Sequence, residues 1–444
     1  MSLHCENIMN VRWLIAIALL CGCARAAFGI DEFEQAPINY SQSTPKNRVS
    51  QLQSRLDRGE VKLSRDDRFG YLASLLQALD VQRDSQTLVF SKTSMQRGRI
   101  TPQTPRALYF NDDVYVGYCH EGQVLEISAV DPQLGAVFYT LDQTEVESPK
   151  FVRQTDSCLL CHGSSQTDNI PGHRVRSLYV DSSGQPVLAL GSHRVDHTTP
   201  IEDRWGGWYV TGSHGSQTHL GNLVVAGLNA SPPFDNASGH NLLDLSSRFP
   251  TERYLTPHSD IVALMVLEHQ TLVHNLLTQA NYKARQALHY EAEFNRSMKE
   301  PPTNRLDSTT ARIHSAGDKL LEGLLFVDEA KLKAPIKGST EFAKQFVQSG
   351  PRDRRGRSLR DFDLTSRMFK YPCSYLIDSD AFDQLPTLMK SYVAQRLHEV
   401  LTSKSKDDKF AHLSQADRLA ILEILSETKP ELWTKQERRA SGKP

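Results

Sequence analysis

Short apolar runs with a two-residue alternation crowd the middle of this chain. VYVGY, VLEISAV, AVFYTL, VRSLYV, PVLALGSHRV, GGWYVTG and LVVAGL are rich in Val, Tyr and Leu, and turn clusters such as HEGQ, DPQLG and DSSGQP separate them. Six or seven strands at this spacing predict a mostly antiparallel sheet over residues 105–230, with YVDSSGQPVLAL as its best hairpin. Elsewhere the period is helical. DDRFGYLASLLQAL predicts a helix over about 66–80, whereas residues 27–60 begin without periodicity and read as an extended arm. A long helix starts at an N-cap on Ser259 or Asp260, carries the stripe Val262, Met265, His269, Leu272 and Leu276, and stops before Pro301 and Pro302. Helical patterns return in SAGDKLLEGLLFVDEA, in STEFAKQFVQ and in the face formed by Leu385, Met389, Val393, Leu397 and Val400. Ser414 and Asp417 then form a capping-box pattern ahead of a last helix.

These elements predict an α+β protein: a mostly antiparallel β-sheet domain followed by an α-helical C-terminal region. The divisions are an arm and helix at 27–104, a β-rich domain at 105–230, a helical segment packed on it at 231–300, and helices at 301–444. A length of 444 residues suits two or three domains. With 51 Lys+Arg against 52 Asp+Glu, no net field draws the chain onto nucleic acid or anionic lipid. The stretch GPRDRRGRSLRDFD, at 350–363, interleaves acids with its arginines and reads as a solvated connector.

The first residues predict export. Arg12 precedes the apolar run WLIAIALLCGC, and ARA at 24–26 offers a cleavage site, so 1–26 reads as a signal peptide. A lipid anchor at Cys23 competes with simple cleavage. The run is too short for an ordinary spanning helix, and no second apolar run of that length follows. Either way a periplasmic or cell-envelope location follows. Removal of the leader leaves Cys119, Cys158, Cys161 and Cys373. Cys119 and Cys373 are then either a disulfide or two unrelated buried thiols.

SCLLCHG, at 157–163, carries the chemistry. Composition predicts about 0.004 chance occurrences of C-x-x-C-H in this chain. Structural zinc needs four ligands, and the other cysteines are isolated. A redox dithiol belongs at a helix N-terminus in a thioredoxin-like unit, which nothing upstream suggests. Covalent haem attachment uses all three residues: two thiols for the vinyl groups and an adjacent imidazole for the iron.

CLLCH resembles the haem-attachment site of c-type cytochromes. That resemblance implies haem c as cofactor, thioether bonds from Cys158 and Cys161, and His162 as proximal iron ligand. LYFNDDVYVGY, RWGGWYVTGSHG, LTPHSDIVALMVLEHQ and FKYPCSYLI resemble a family of secreted bacterial cytochrome c domain-containing proteins, for which no activity carries over. A haem on such a sheet is also similar in architecture to PAS-like, haem c binding sensor domains.

The first methionine after His162 is Met265, too distant for a compact helical cytochrome domain, so a small soluble cytochrome is excluded. Candidates for the sixth iron ligand are His219 in SHGSQTHLGN, His269 on the buried stripe of the long helix, and Met265 one turn away. For His214 a structural role is preferred. The expected function is one-electron transfer with an unidentified redox partner protein. Alternatives are a haem-based gas or redox sensor or partner-binding module, and a haem enzyme such as a peroxidase with His219 or Arg204 as the distal group. No phosphate loop, HExxH or GxSxG motif is present.

Overall fold

A computed structural model describes residues 32–227, 231–403 and 407–433. The expected signal peptide at 1–26 and the anchor candidate Cys23 lie outside the described residues. The fold is α+β. Its centre is a seven-stranded antiparallel sheet of β1 (Thr87–Val89), β2 (Arg106–Phe110), β3 (Val114–Tyr118), β4 (Val124–Asp131), β5 (Gly135–Asp142), β6 (Phe151–Gln154) and, after an intervening hairpin, β9 (Trp208–Tyr209). The spatial order is β6-β5-β4-β3-β2-β1-β9. The hairpin is β7 (Arg176–Leu178) with β8 (Ser192–Arg194), and a further two-stranded pair joins β10 (Gly212–Ser213) to β11 (Lys337–Gly338).

Meander connections explain the order. Asp131 Oδ1 accepts from the backbone N–H of Gln133 and Leu134, at 2.9 and 3.1 Å, and Gly135 closes the β4–β5 hairpin at φ +70°. A Cβ at Gly135 would lie 2.5 Å from the Thr278 methyl, so this glycine also permits a close helix approach.

The register sorts side chains onto two unlike faces. Tyr109 opposite Val116, Val116 opposite Ile127 and Ile127 opposite Tyr139 lie on the outer face. They are buried with Phe33, Ile38 and Tyr40 and with the helices α1 (Arg48–Asp57) and α2 (Leu72–Ala78). Each large apolar side chain so buried contributes about 1.5–3 kcal/mol. On the inner face, Leu108, Gly117, Glu126 and Thr140 form one cross-strand row, and Phe110, Tyr115, Ser128 and Phe138 form the next.

After the single-turn helix α3 (Leu159–His162) comes α4 (Ile261–Met298), a helix of 38 residues. Asp260 caps it, accepting from Val262 and Ala263 N–H at 2.8 and 3.2 Å through Oδ1. Its Oδ2 accepts from Ser339 N–H, Thr340 N–H and the Thr340 hydroxyl, each at 2.8 Å, so one carboxylate fixes both the helix start and the β11 segment. Helices α5 (Asp307–Leu324), α6 (Phe342–Gln348), α7 (Asp380–Asp383), α8 (Thr387–Leu401) and α9 (Gln415–Thr428) complete the C-terminal region. No helix among the described residues is long and apolar enough to cross a membrane.

Several expected boundaries move. The residues expected as an extended arm contain α1, and Phe33 and Tyr40 are at most 1% exposed, because the outer sheet face needs a cover. The first helix shortens from 66–80 to Leu72–Ala78, since Asp66 and Gly70 bridge as a turn. Strand β1 falls before residue 105, and the apolar runs at Leu188–Leu190 and 222–227 supply no strand. One core cluster runs from Val89 and Trp208 on the sheet to Leu425 and Trp433 in the last helices. The sheet and the C-terminal region therefore share a core.

Candidate functional site

The motif forms one helical turn directly after β6. Cys161 and His162 N–H both donate to Cys158 O, at 3.2 and 2.9 Å, and Gly163 N–H donates to Leu159 O at 2.8 Å. Spacings of three and four residues place Cys158, Cys161 and His162 on one face of that turn. All three line a single cavity of about 470 Å³ between the inner sheet face, α4 and the 92–97 loop. That volume suits a ligand rather than solvent alone.

His162 is held from behind. Its Nδ1 lies 2.9 Å from Gly172 O, and Gly172 N–H returns a bond of 2.8 Å to His162 O. A carbonyl only accepts, so Nδ1 carries the proton and Nε2 keeps its lone pair. Nε2 makes no hydrogen bond. Burial depresses the imidazole pKa to about 4, which keeps it neutral near pH 7. The ring packs on Phe138, with centroids 4.8 Å apart.

Helix α4 fixes the adjoining loop. Asn275 accepts from His173 N–H at 2.9 Å and donates to His173 O at 2.7 Å. A Cβ at position 172 would meet Asn275 Oδ1 at 2.5 Å, so only glycine allows this approach. His173 is buried, its Nε2 lies 2.7 Å from Ser128 Oγ, and its Nδ1 is without a partner. Burial holds it neutral.

The cavity floor is the Leu108–Gly117–Glu126–Thr140 row. Arg106 lies across Gly117, where a Cβ would come 2.2 Å from the guanidinium, and pairs with Glu126 at 2.6 Å. Lys92, Arg97 and Arg174 also line the cavity, and none makes an ion pair among the described residues. These residues fit a haem c: two thiols and an imidazole whose Nε2 makes no hydrogen bond line one cavity, with cations that make no ion pair available for carboxylates. A cleft of about 700 Å³ elsewhere is lined by charged residues, among them the pairs Arg48–Asp113 and Arg360–Asp112.

The other sequence candidates lie apart from this cavity. His219 sits with His214 and His240, at ring-centroid distances of 4.7 and 5.0 Å, and is 3% exposed. His269 Nδ1 is 3.0 Å from His197 Nδ1, its Nε2 is 2.8 Å from Ser374 Oγ, and its ring stacks on Phe326. Met265 is 2% exposed in the hydrophobic core. Arg204 pairs with Glu268 at 2.8 Å, with side chains 3% and 0% exposed. None of the four lines the cavity. His269, Met265 and Arg204 are taken up by packing and bonding around the long helix, whereas both ring nitrogens of His219 are buried without a hydrogen-bond partner.

Cys119 and Cys373 are free, which corrects the disulfide alternative. Cys119 ends β3, whereas Cys373 belongs to the core around α4. Burial pushes both thiols up, Cys119 to about 12.

Sequence reasoning missed the cavity's other walls. Asn275 and Thr271 look like polar interruptions of a helix, and Gly172 like an ordinary loop glycine. The 92–97 loop, including Met95, lies before the motif, on the side away from the expected ligands. The spacing of Gly172, ten residues after His162, was the available signal. Among the described residues no group of three His, Cys, Asp or Glu side chains is arranged to hold a metal ion. No protein-family model, curated protein or solved structure matches this chain.

Proposed function

We propose that this chain is an exported haem c protein that transfers electrons one at a time. The observation that carries the reading is the placement of His162: Nδ1 is tied to Gly172 O at 2.9 Å, and the free Nε2 shares one cavity with both motif thiols. Such a backbone acceptor fixes tautomer and ring orientation and raises ligand basicity. Cys158 and Cys161 would hold the haem covalently, and His162 would ligate its iron. The haem would supply reversible one-electron chemistry; the chain sets potential and access.

What the residues do follows from their surroundings. Phe138 and Leu108 keep the floor apolar on either side of the Arg106–Glu126 pair. Lys92, Arg97 and Arg174 stand where propionate charge would be met. Cys161 is exposed and Leu160 is 81% exposed, so this edge is open to a redox partner. Export agrees with the reading, because haem c is attached outside the cytoplasm.

A second reading, a haem-based sensor, draws on one hydrogen-bonded chain. Tyr115 lines the cavity, its hydroxyl contacts His274 Nδ1 and Gln270 Nε2 at 2.9 Å each, and Gln270 Oε1 accepts from the Tyr375 hydroxyl at 2.6 Å. This chain ties the cavity wall to the C-terminal region. The peroxidase reading loses its proposed distal groups, since Arg204 and His219 lie away from the cavity.

The test is the optical spectrum of the holoprotein in both redox states, with and without CO, beside the mass of the denatured chain. Electron transfer requires covalent haem, low-spin iron and indifference to CO. Haem that survives denaturation of a Cys158→Ala, Cys161→Ala double variant would sink the attachment. Ready CO binding with a structural change would favour the sensor.

A further inference from the structure

The 92–97 loop lines the same cavity as His162, and it carries a thioether. Met95 lines the cavity with Cys158, Cys161 and His162 and is 53% exposed. The methionines of the core, Met265, Met368 and Met389, are at most 2% exposed.

The loop is anchored through the residues that flank Met95. Ser94 Oγ donates to Glu126 Oε1 at 3.0 Å, and Gln96 Nε2 donates to the same oxygen and to Val124 O, at 3.1 Å each. Glu126 belongs to the row Gly117–Glu126–Thr140, whereas His162 packs on Phe138 in the neighbouring row. Successive residues on one face of a strand are about 7 Å apart. The two anchorages therefore lie one row apart across the cavity floor.

Among the other donors on the cavity, Tyr115 OH bonds His274 and Gln270, and His173 Nε2 bonds Ser128 while its Nδ1 is without a partner. His173 also follows Gly172 directly, so it stands on the His162 wall. A thioether is neutral at every pH and is a soft ligand suited to haem iron.

We propose that Met95 Sδ is the sixth iron ligand, paired with His162 and supplied from before the attachment motif. The inference rests on the haem c reading. It places the ligand on a strapped loop over Glu126, held by Ser94 and Gln96, and it accounts for a cytochrome-like motif with no methionine in the 102 residues after His162. The pair would raise the reduction potential relative to bis-histidine ligation.

The test uses full-length holoprotein whose covalent haem has first been shown by mass and by the spectrum after denaturation. The expected ferric wild type shows the long-wavelength sulfur-to-iron charge-transfer band and does not take up CO when reduced. Met95→Ala loses the band, becomes high-spin, binds CO and falls in potential, with haem content and thermal stability unchanged. Lys92→Ala keeps the band. Covalent haem without that band, or a band retained in Met95→Ala, overturns the assignment and leaves haem attachment standing. Absence of covalent haem overturns both.

Discussion

His162 and Gly172 hold each other twice, through Nδ1 to Gly172 O at 2.9 Å and Gly172 N–H to His162 O at 2.8 Å. The second partner of this clamp is remote in sequence. Asn275, 102 residues after His173, satisfies both the N–H and the C=O of that residue. Asn275→Ala leaves two buried backbone groups unpaired at about 1–3 kcal/mol each. The expected result is a fall in thermal stability and a lower yield of haem-loaded protein, measured as the ratio of haem to protein absorbance. Unchanged loading and stability would remove the clamp from the account of the site.

Arg204 and Glu268 form a buried ion pair, with Arg204 also donating to Thr199 O at 2.7 Å and His197 O at 3.1 Å. Burial pushes the Glu268 carboxyl up to about 7 against the pull of Arg204. Removing one partner strands a charge in the core, so Glu268→Leu is expected to cost about 3–5 kcal/mol. The Arg204→Met, Glu268→Leu double variant should recover part of that loss. Denaturant midpoints of wild type and the two variants decide it, and a double variant no more stable than Glu268→Leu would contradict the argument.

His197 and His269 share one proton across their Nδ1 atoms at 3.0 Å, and both are buried. Burial lowers His197 to about 4 and His269 well below its ordinary value. The unfolded chain binds these protons near pH 6.5 and the folded one does not, so folding is weakened as pH falls from about 6.5 toward 4. The slope is about 1.4 kcal/mol per pH unit for each histidine. Glu268 and Glu329, both raised to about 7, act in the opposite direction between about 4.5 and 7. The informative quantity is therefore the difference between wild type and His269→Gln, which should shrink steadily on acidification. A constant difference from pH 7.5 to 5 would exclude His269 as a neutral core group.

Cys119 and Cys373 are free and buried, and burial raises both thiols. The native protein should resist alkylation at these two positions for as long as it stays folded. In denaturant both should react without prior reduction. A mass increase of two hydrogens on reduction would instead reveal a disulfide between them.

Much of the fold was legible from local pattern. VYVGY, VLEISAV and AVFYTL became central strands because alternation encodes a two-faced strand wherever the chain happens to go. The Asp260 cap and the Ser414–Asp417 capping box were legible for the same reason, since a cap is satisfied within three residues. Pattern failed where packing came from afar. Phe33 and Tyr40 sit in a stretch without periodicity, yet they cover the sheet because its outer face would otherwise be exposed.

Helix α4 shows the same limit at the site. His269, Gln270, His274 and Asn275 lie on buried faces, and each is bonded to a segment distant in the chain. From the sequence, a buried histidine on a stripe is equally a ligand or a core group, because only its neighbours distinguish the two.

By itself the sequence determined the α+β class, the long helix, and the one turn that gathers two thiols and an imidazole on a single face. These depend on contacts within a few residues. Tertiary structure alone decided that Gly172 fixes the proton on His162, that His219, His269 and Met265 lie away from the cavity of the motif, and that Met95 lines it. Those relationships join residues brought together by sheet register and helix packing, and no local periodicity records which distant segments will share a cavity wall.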